Sequence, residues 1–597
     1  MAKNLLLYVH FNRENKLAEH VLYQLQHIRP FFDEICLISN SQLSSDDQQL
    51  LQNQQLMERF IQRENKGYDF MAWSEAMLAY GFEALKQYDS VTLMNDTCFG
   101  PIFDLKAILD KFNADEQVDF WGMTNNRAHV VDPHADGHKV QLPAHIQSYF
   151  ISFKQQVVKS ESFRDFWSNI QVLDEVVDVI VKYETGLTKH FEDAGFKSGV
   201  VFDTRQEDWS QMLVHDFSVF NMSSILEHRI PFLKIKAFAI GAQHPSTPIT
   251  VEYLQKYTDY PLHLIVDHMT WYDYPDRPYM LNSKMIQAPV PAEPSEHPKV
   301  GIHLHVYYKD LLVHYLELFD RYVKNYDLYI TTDSQESKQT IEELSNHHPS
   351  IKEIMVVGKK GRDVLPWMKI HQKLSDYPIA GHFHTKKSVE NWWILGESWR
   401  TDLEENLIET AQTLFEAFKQ DEKVGLIISD VPAFQQSYHG PLCTEEEKVW
   451  PLMKHLWGIV DFHYRKGLQE QPSYIMSYGT MVWYRPAALD NLLAINVEAE
   501  IPEEPLPENS ILHAFERLLV YVAWGNNYDF RIAHRASYNG FWNNHSTNQV
   551  LNDYLTAIKK DGGAKDNIIR VREIWNMLIG RLHYLAKYHA KKLLKRH

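Results

Sequence analysis

The chain of 597 residues has only three cysteines, Cys36, Cys98 and Cys443, and none of them has a paired spacing. That excludes a disulfide framework and a cysteine-based zinc site; Cys36 and Cys98 are expected to be small core residues. Long hydrophobic runs are lacking too. No stretch approaches the roughly 20 apolar residues that cross a bilayer. The opening "MAKNLLLYVHFNREN" has a short apolar core with no small-residue cleavage site after it, so no signal peptide is expected and a cytoplasmic protein is. Positive charge is in deficit. Lys and Arg number 60 against 78 Asp and Glu, a net charge of −18, which argues against broad binding of nucleic acid.

What is present is a globular composition, 44% hydrophobic and 13% aromatic, in a chain too long for one core. Apolar runs "NLLLYVH" (4–10), "EICLISN" (34–40), "SVTLMND" (90–96) and "VDFWGMT" (118–124) read as buried parallel strands. Helix-like stretches at 15–30, 47–60 and 70–87 separate them, the pattern of a parallel sheet with helices on its faces. Six prolines between 275 and 298 break it; "QAPVPAEPSEHP" cannot continue a helix or an inner strand and reads as a linker. Then strands resume at 300–307, 328–333, 351–358, 379–384, 424–430 and 479–486.

The two halves echo each other. "RENKGYDFMAW" (63–73) returns as "GKKGRDVLPWM" (358–368), with Gly67 and Gly361, Asp69 and Asp363, Trp73 and Trp367 each 294 residues apart. "FFDEICLISNSQ" returns as "NYDLYITTDSQ", "YVHFNREN" as "HLHVYYKD", and "YDSVTLMNDT" as "YPIAGHFHTK". All four lie 289–295 residues apart in the same order, which implies an internal duplication of one α/β domain.

In open parallel sheets ligands sit beyond the carboxyl ends of the strands. The polar residues there are His10 and Asn12, Asn40, Asn65 to Asp69, Asn95, Asp96 and Thr97, and Thr124. Singly, Asn40 suits an ordinary turn and Asn95-Asp96 a helix cap; together they mark one edge. Trp73 and Trp121 are candidates for the core or for stacking on a sugar or base, with the core favoured for Trp73.

An Asn-containing turn after the second strand, then Asn-x-Gly before a helix, then a strand ending in an acid resembles the nucleotide-sugar glycosyltransferases of the GT-A fold. The resemblance implies that Asn40, Asn65, Gly67 and Asp69 shape a nucleotide pocket, with His10 and Asn95 beside it. It makes Asp96, in Asn95-Asp96-Thr97, the metal-holding acid on the donor diphosphate. With a single carboxylate there, Mg²⁺ or Mn²⁺ would take its other ligands from phosphate and water. The segment "VKYETGLTKHFEDAGF" (181–196) looks like the family's late helix, which implies Glu184 at its start as general base for an inverting transfer; a helix-start Glu favoured by the macrodipole is the alternative.

More narrowly, "RENKGYDFMAW", "LMNDTCFGPIFDL", "DFWGMT" and "IQSYFISF", with "HLHVYYKDL", "GRDVLPW", "HTKKS", "ESWR" and "GTMVWYRP" in the second half, resemble the rhamnan synthesis protein F family. The resemblance implies a rhamnosyltransferase of cell-wall polysaccharide assembly. Its donor would be dTDP-L-rhamnose and its acceptor a glycan on undecaprenyl diphosphate, at the inner face of the membrane. Lys359 stands where the family leads one to expect Asn.

The second half lacks the strand-end acid, having His384-Thr385-Lys386-Lys387 instead. Lys386, Lys387, Arg362 and Arg400 are candidates to neutralise a diphosphate without metal, or this copy grips the acceptor. His303, His305, Asp333 and Asp363 complete its candidates. His303 and His305 share a strand face and suit metal ligation less well than hydrogen bonding. At the carboxyl end, Val571, Trp575, Leu578, Leu582 and Leu585 form an apolar stripe among eight basic residues and one acid, Glu573. Such an amphipathic helix suits an anionic membrane surface, or docks on the acidic body.

The expected architecture is therefore α/β: two tandem GT-A-like, Rossmann-like domains with mostly parallel sheets, at 1–274 and 299–565. A proline-rich linker at 275–298 would join them, and a basic helix at 566–597 would follow. Two rivals remain: a single active site in the second domain with the first as scaffold, and a non-catalytic glycan-binding scaffold.

Overall fold

The computed structural model describes residues 3–210, 216–240, 246–289, 296–387, 393–432, 446–462, 467–471, 474–507 and 509–535. The expected basic helix at 566–597 and Cys443 lie outside them. The chain divides into two compact units, Met1–Ser283 and Lys284–His597.

The first unit is built on strands β1 (Asn4–His10), β2 (Glu34–Ser39), β3 (Arg59–Gln62), β4 (Ser90–Asn95), β5 (Phe120–Asn126), β6 (Phe150–Lys154) and β7 (Ser198–Phe202). They lie in the order β7-β5-β6-β4-β1-β2-β3, with a short strand at His145–Ile146 beside β5. All neighbours on this path are parallel except β6, which runs antiparallel to β4 and β5. Strand β1 shows why the apolar runs are continuous. Leu6 and Tyr8 enter one core while Leu5, Leu7 and Val9 enter the core on the opposite face, so both faces are covered. Cys36 and Cys98 are both buried.

The expected helix at 47–60 is shorter, Ser45–Asn53, and Arg59–Gln62 is instead the edge strand β3. A four-residue, half-buried edge strand carries too little apolar alternation to stand out from a helical pattern. Strand β6, within "IQSYFISF", is the antiparallel insertion that a strand–helix alternation does not reveal.

The second unit uses β8 (Met285–Ala288), β9 (Val300–His305), β10 (Tyr326–Thr332), β11 (Ile351–Val356), β12 (Ala380–His384), β13 (Val424–Ser429), β14 (Val482–Tyr484) and β15 (Asp529–Arg535). Their order is β8-β15-β13-β14-β12-β9-β10-β11. Strand β14 is antiparallel to β12 and β13, and the remaining neighbours are parallel. From β15 to β11 this is the order and sense of the first sheet, strand for strand.

The pairing also corrects one echo. Val9 pairs with Asn95, and His305 pairs with His384. Val9 thus corresponds to His305, a spacing of 296 rather than the 295 that aligns "YVH" with "HLH". Slipping one residue reverses which face each side chain meets.

The proline-rich window is not a free linker throughout. It holds a helix, Pro278–Lys284, and the edge strand β8 beside β15. The ammonium of Lys284, buried, pairs with Asp529 Oδ1 at 2.5 Å, fastening this strand to the second sheet. An edge strand tolerates the prolines that follow, because its outer ladder needs no donors.

Candidate active site

The turn after β3 is organised by a residue that the sequence motif passes over. Arg63 donates from Nη1 to Asn40 Oδ1 at 2.7 Å, from Nη2 to the Lys66 carbonyl at 2.7 Å, and bidentately to Glu75 at 2.7 and 3.0 Å. One planar guanidinium thereby ties the end of β2 to the Asn65–Gly67 turn and to the helix Tyr68–Tyr80. Gly67 enters that helix with φ 68°, and a Cβ there would sit 2.7 Å from Met71 Cβ. Glycine is required on both counts. Asn65 is exposed at the rim of the turn. Trp73, fully buried, donates to the Leu7 carbonyl at 3.1 Å, and Trp121 stacks on Phe112; both are core.

The helix brings Asp69 to the carboxyl end of β4. Asn95 Nδ2 donates to Asp69 Oδ2 at 2.7 Å, and the Phe11 backbone N–H donates to Asp96 Oδ2 at 2.8 Å. Burial pushes Asp69 up to about 6 against the Asn95 bond, with Glu184 adding to the rise. Burial, aided by Asp69, pushes Asp96 up to about 8 despite the Phe11 donor. His10 lies below this edge rather than on it. It is fully buried, its Nδ1 donates to Ser39 Oγ at 3.1 Å, and burial lowers it to about 4. Thr124 is engaged by Gln147 and Tyr149.

Glu184 is not at a helix start. It ends a π-helical turn, Ile180–Glu184, between Val176–Val179 and Thr185–Asp193, so the macrodipole does not explain it. Such bulges re-aim side chains and recur at functional sites. Glu184 Oε1 accepts from both the backbone N–H and the hydroxyl of Ser148, at 3.1 and 2.9 Å. Lys234, paired with Asp216 at 2.7 Å, lies within electrostatic reach of it. Asp69, Asp96 and Glu184 thus share one neighbourhood. Arg63, Ser148 and Lys234 complete it; Arg63 and Ser148 lie inside quoted motifs without being singled out by them, and Lys234 lies in none.

Among the described residues no three His, Cys, Asp or Glu side chains converge as a metal cage. Asp96 fits a sparser arrangement, in which one carboxylate holds a divalent cation whose other ligands are phosphate and water. Asp96 accepts the Phe11 N–H and forms no ion pair with Lys or Arg among the described residues.

In the second unit the counterpart edge is built differently. His305 Nδ1 donates to Thr331 Oγ1, whose hydroxyl donates to His303 Nε2; His303 Nδ1 donates to His382 Nδ1, and His382 Nε2 to Asp363 Oδ2. This one-way chain requires neutral rings, and burial lowers His305 and His382 to about 4. Both nitrogens of His303 are used, so it has no lone pair for a metal. Asp333 accepts from Ser334 and Ser337 and serves the start of the helix Gln335–Ser345. His384 Nε2 donates to the Gly479 carbonyl at 2.8 Å.

Of the four basic candidates, three are already matched by carboxylates. Arg362 pairs bidentately with Glu504, Lys387 with Asp310, and Arg400 with Glu397 and Glu404. Lys386 alone has no such pair among the described residues; its ammonium sits 3.6 Å from the centre of the Trp399 ring.

The sequence profile of rhamnan synthesis protein F matches residues 35–528. The chain belongs to the rhamnan synthesis protein F family. Its curated relatives are more distant: 28% identity over 181 residues to the uncharacterized protein y4gN of Sinorhizobium fredii, 30% of this chain and 44% of that one. Virulence protein VirA of Vibrio anguillarum is 26% identical over 146 residues, 24% of this chain and 41% of that one. The chain spans about two fifths of the length of the curated relatives it matches. Among solved structures, the apo-form glycosyltransferase GlyE of Streptococcus pneumoniae aligns at 10% identity over 62% of this chain and 83% of its own, TM-score 0.24. The mannosyltransferase PcManGT of Pyrobaculum calidifontis, in complex with GDP-Man and Mn²⁺, aligns at 9% over 50% and 70%, TM-score 0.24. Scores this low establish no shared fold, and the reading below rests on the residues of this member of the rhamnan synthesis protein F family.

Proposed function

We propose that the chain is an inverting glycosyltransferase of two GT-A-like domains. It moves L-rhamnose from dTDP-L-rhamnose onto a lipid-linked polysaccharide acceptor at the inner membrane face, with the basic carboxyl-terminal segment on the anionic surface. The donor nucleotide lies along the turn that Arg63 fixes, bounded by Asn40, Asn65, Gly67 and Asp69. The observation that carries the reading is the grouping of Asp69, Asp96 and Glu184, held by Asn95, the Phe11 N–H and Ser148 respectively.

The chemistry follows from that grouping. Glu184, steadied by the two Ser148 donors, takes the proton of an acceptor hydroxyl. The freed oxygen attacks the anomeric carbon as the bond to the diphosphate breaks, and the electron pair leaves with the nucleotide. A Mg²⁺ or Mn²⁺ ion on Asp96 would offset the charge of that leaving group. Asp69 holds Asn95 and with it the Asn95-Asp96-Thr97 turn.

The experiment is release of dTDP from dTDP-L-rhamnose by the full chain with Mg²⁺ or EDTA. Glu184→Gln and Asp96→Asn should each remove the EDTA-sensitive release. If both variants retain it at the parent rate, this site is not the donor site.

A further inference from the structure

The second unit carries its own counterpart of Glu184. Strand register defines it. Leu93 pairs with Ile151 in the first sheet, as His382 pairs with Val482 in the second. Three residues before Ile151 is Ser148, and three before Val482 is Gly479. The Ser148 N–H donates to Glu184 Oε1, and the Gly479 N–H donates to Glu516 Oε1. Each glutamate lies on the helix that feeds the corresponding parallel strand, Thr185–Asp193 with its π-turn before β7 and Ile511–Gly525 before β15. The same correspondence aligns Asp69 with Asp363 and Asp96 with Thr385. The Phe11 N–H donates to Asp96, and the Tyr307 N–H donates to Thr385 Oγ1 at 3.0 Å. It places Lys386 where the first unit has Thr97.

The charged groups of the two edges differ. The first presents three carboxylates, and the cations near them, Arg63 and Lys234, are already paired with Glu75 and Asp216. The second presents two, Asp363 and Glu516, and supplies a cation of its own. Glu516 and Asp363 are the acids within electrostatic reach of Lys386, which they hold up against a larger lowering by burial. Trp399, which carries the Lys386 ammonium on its ring, donates to the Tyr478 carbonyl at 3.0 Å. The loop between them is unusual: Tyr478, Gly479 and Thr480 have φ of 39°, 110° and 62° in succession. Left-handed backbone at non-glycine residues is held only where surrounding contacts over-determine it, and it clusters at active sites. Those contacts are Thr480 Oγ1 to Asp363, His384 to the Gly479 carbonyl and the Gly479 N–H to Glu516. A Cβ on Gly479 would stand 3.5 Å from Lys386 Nζ, an ordinary contact distance, so the ammonium lies against this loop.

We infer that the second unit is a metal-independent glycosyl-transfer site for a nucleoside-diphosphate sugar, with Glu516 as its base and Lys386 as its diphosphate cation. The inference rests on the glycosyltransferase reading of the first unit. Glu516 takes the proton of an acceptor hydroxyl, the oxygen bonds to the anomeric carbon, and the carbon–oxygen bond to the diphosphate breaks. The leaving diphosphate keeps the electron pair, its charge met by Lys386. One chain would then add two sugars from two sites of different metal demand.

The test counts nucleotide sites on the full chain by calorimetry, titrating dTDP, UDP and GDP separately with Mg²⁺ and with EDTA. Two sites with Mg²⁺ and one with EDTA are expected. Lys386→Ala should weaken the EDTA-resistant site about tenfold or more while leaving Mg²⁺-dependent binding and the thermal unfolding profile of the chain intact, the latter reporting that the second unit is folded. Glu516→Gln should keep EDTA-resistant binding but lower EDTA-resistant release of dTDP from dTDP-L-rhamnose by about a hundredfold. One site, lost with EDTA and with Asp96→Asn, overturns the inference and leaves the first-unit reading standing. EDTA-resistant release unchanged in Glu516→Gln overturns the role of that residue. No site for any nucleotide overturns both readings.

Discussion

Ser148 donates twice to Glu184 Oε1, through its backbone at 3.1 Å and its hydroxyl at 2.9 Å. The backbone bond orients the carboxylate whatever the side chain; the hydroxyl bond adds a second donor to the same oxygen. Ser148→Ala should therefore lower the EDTA-sensitive transfer rate by about tenfold, one charge-assisted bond of about 1.5 kcal/mol, without moving the thermal midpoint. Glu184→Gln should cost about a hundredfold or more. Initial rates and unfolding curves of the same preparations check both.

Arg63 is a positioning residue. Arg63→Lys keeps the charge but cannot reach Asn40, Glu75 and the Lys66 carbonyl from one planar group. Donor KM should rise more than kcat falls, because the turn is loosened and the base is not. A variant that lowers kcat alone would show that Arg63 acts elsewhere.

Gly67 is fixed by geometry. Gly67→Ala places a Cβ 2.7 Å from Met71 Cβ at φ 68°, a strain of about 1–3 kcal/mol. The urea midpoint should fall. Gly186→Ala, inside the helix Thr185–Asp193 with no positive φ and nothing within 4 Å of the added carbon, should not lower it. Equal losses would contradict the packing argument.

The histidine chain of the second unit predicts a pH dependence. His305 and His382 are lowered from 6.5 to about 4 by burial, so the unfolded chain binds more protons between those values. Stability should then be full above about pH 6.5 and fall as pH drops toward 4. Urea unfolding at pH 7, 6 and 5 reads the slope, and His382→Asn should flatten it. A slope that is unchanged by the substitution would place the titration in other groups.

The strands were legible in the sequence because their residues are apolar on both faces, and strand ends located Asn40, Asp69, Asn95 and Asp96 at one edge. The side chains that hold this edge together were less legible. Arg63 stood inside the quoted turn but acts through a planar fork, which spacing does not reveal. Glu516 lies in "ILHAFERLLVYVAWG", a helix that is apolar almost all round, where one acid looks like a solvated position. Only strand register sets it beside Gly479. The linker reading failed on β8 because proline tolerates a sheet's outer edge. The pairing of Leu7 with Leu93 against that of His303 with His382 shows how one duplicated frame takes apolar or polar filling at the same positions.

The most direct measurement is mass spectrometry of a short lipid-linked rhamnoside after incubation of the full chain with dTDP-L-rhamnose and Mg²⁺. The account predicts acceptor extended by deoxyhexose units and no extension by the Glu184→Gln, Glu516→Gln double variant. Extension that survives in the double variant, or donor left intact by the parent chain, would contradict it.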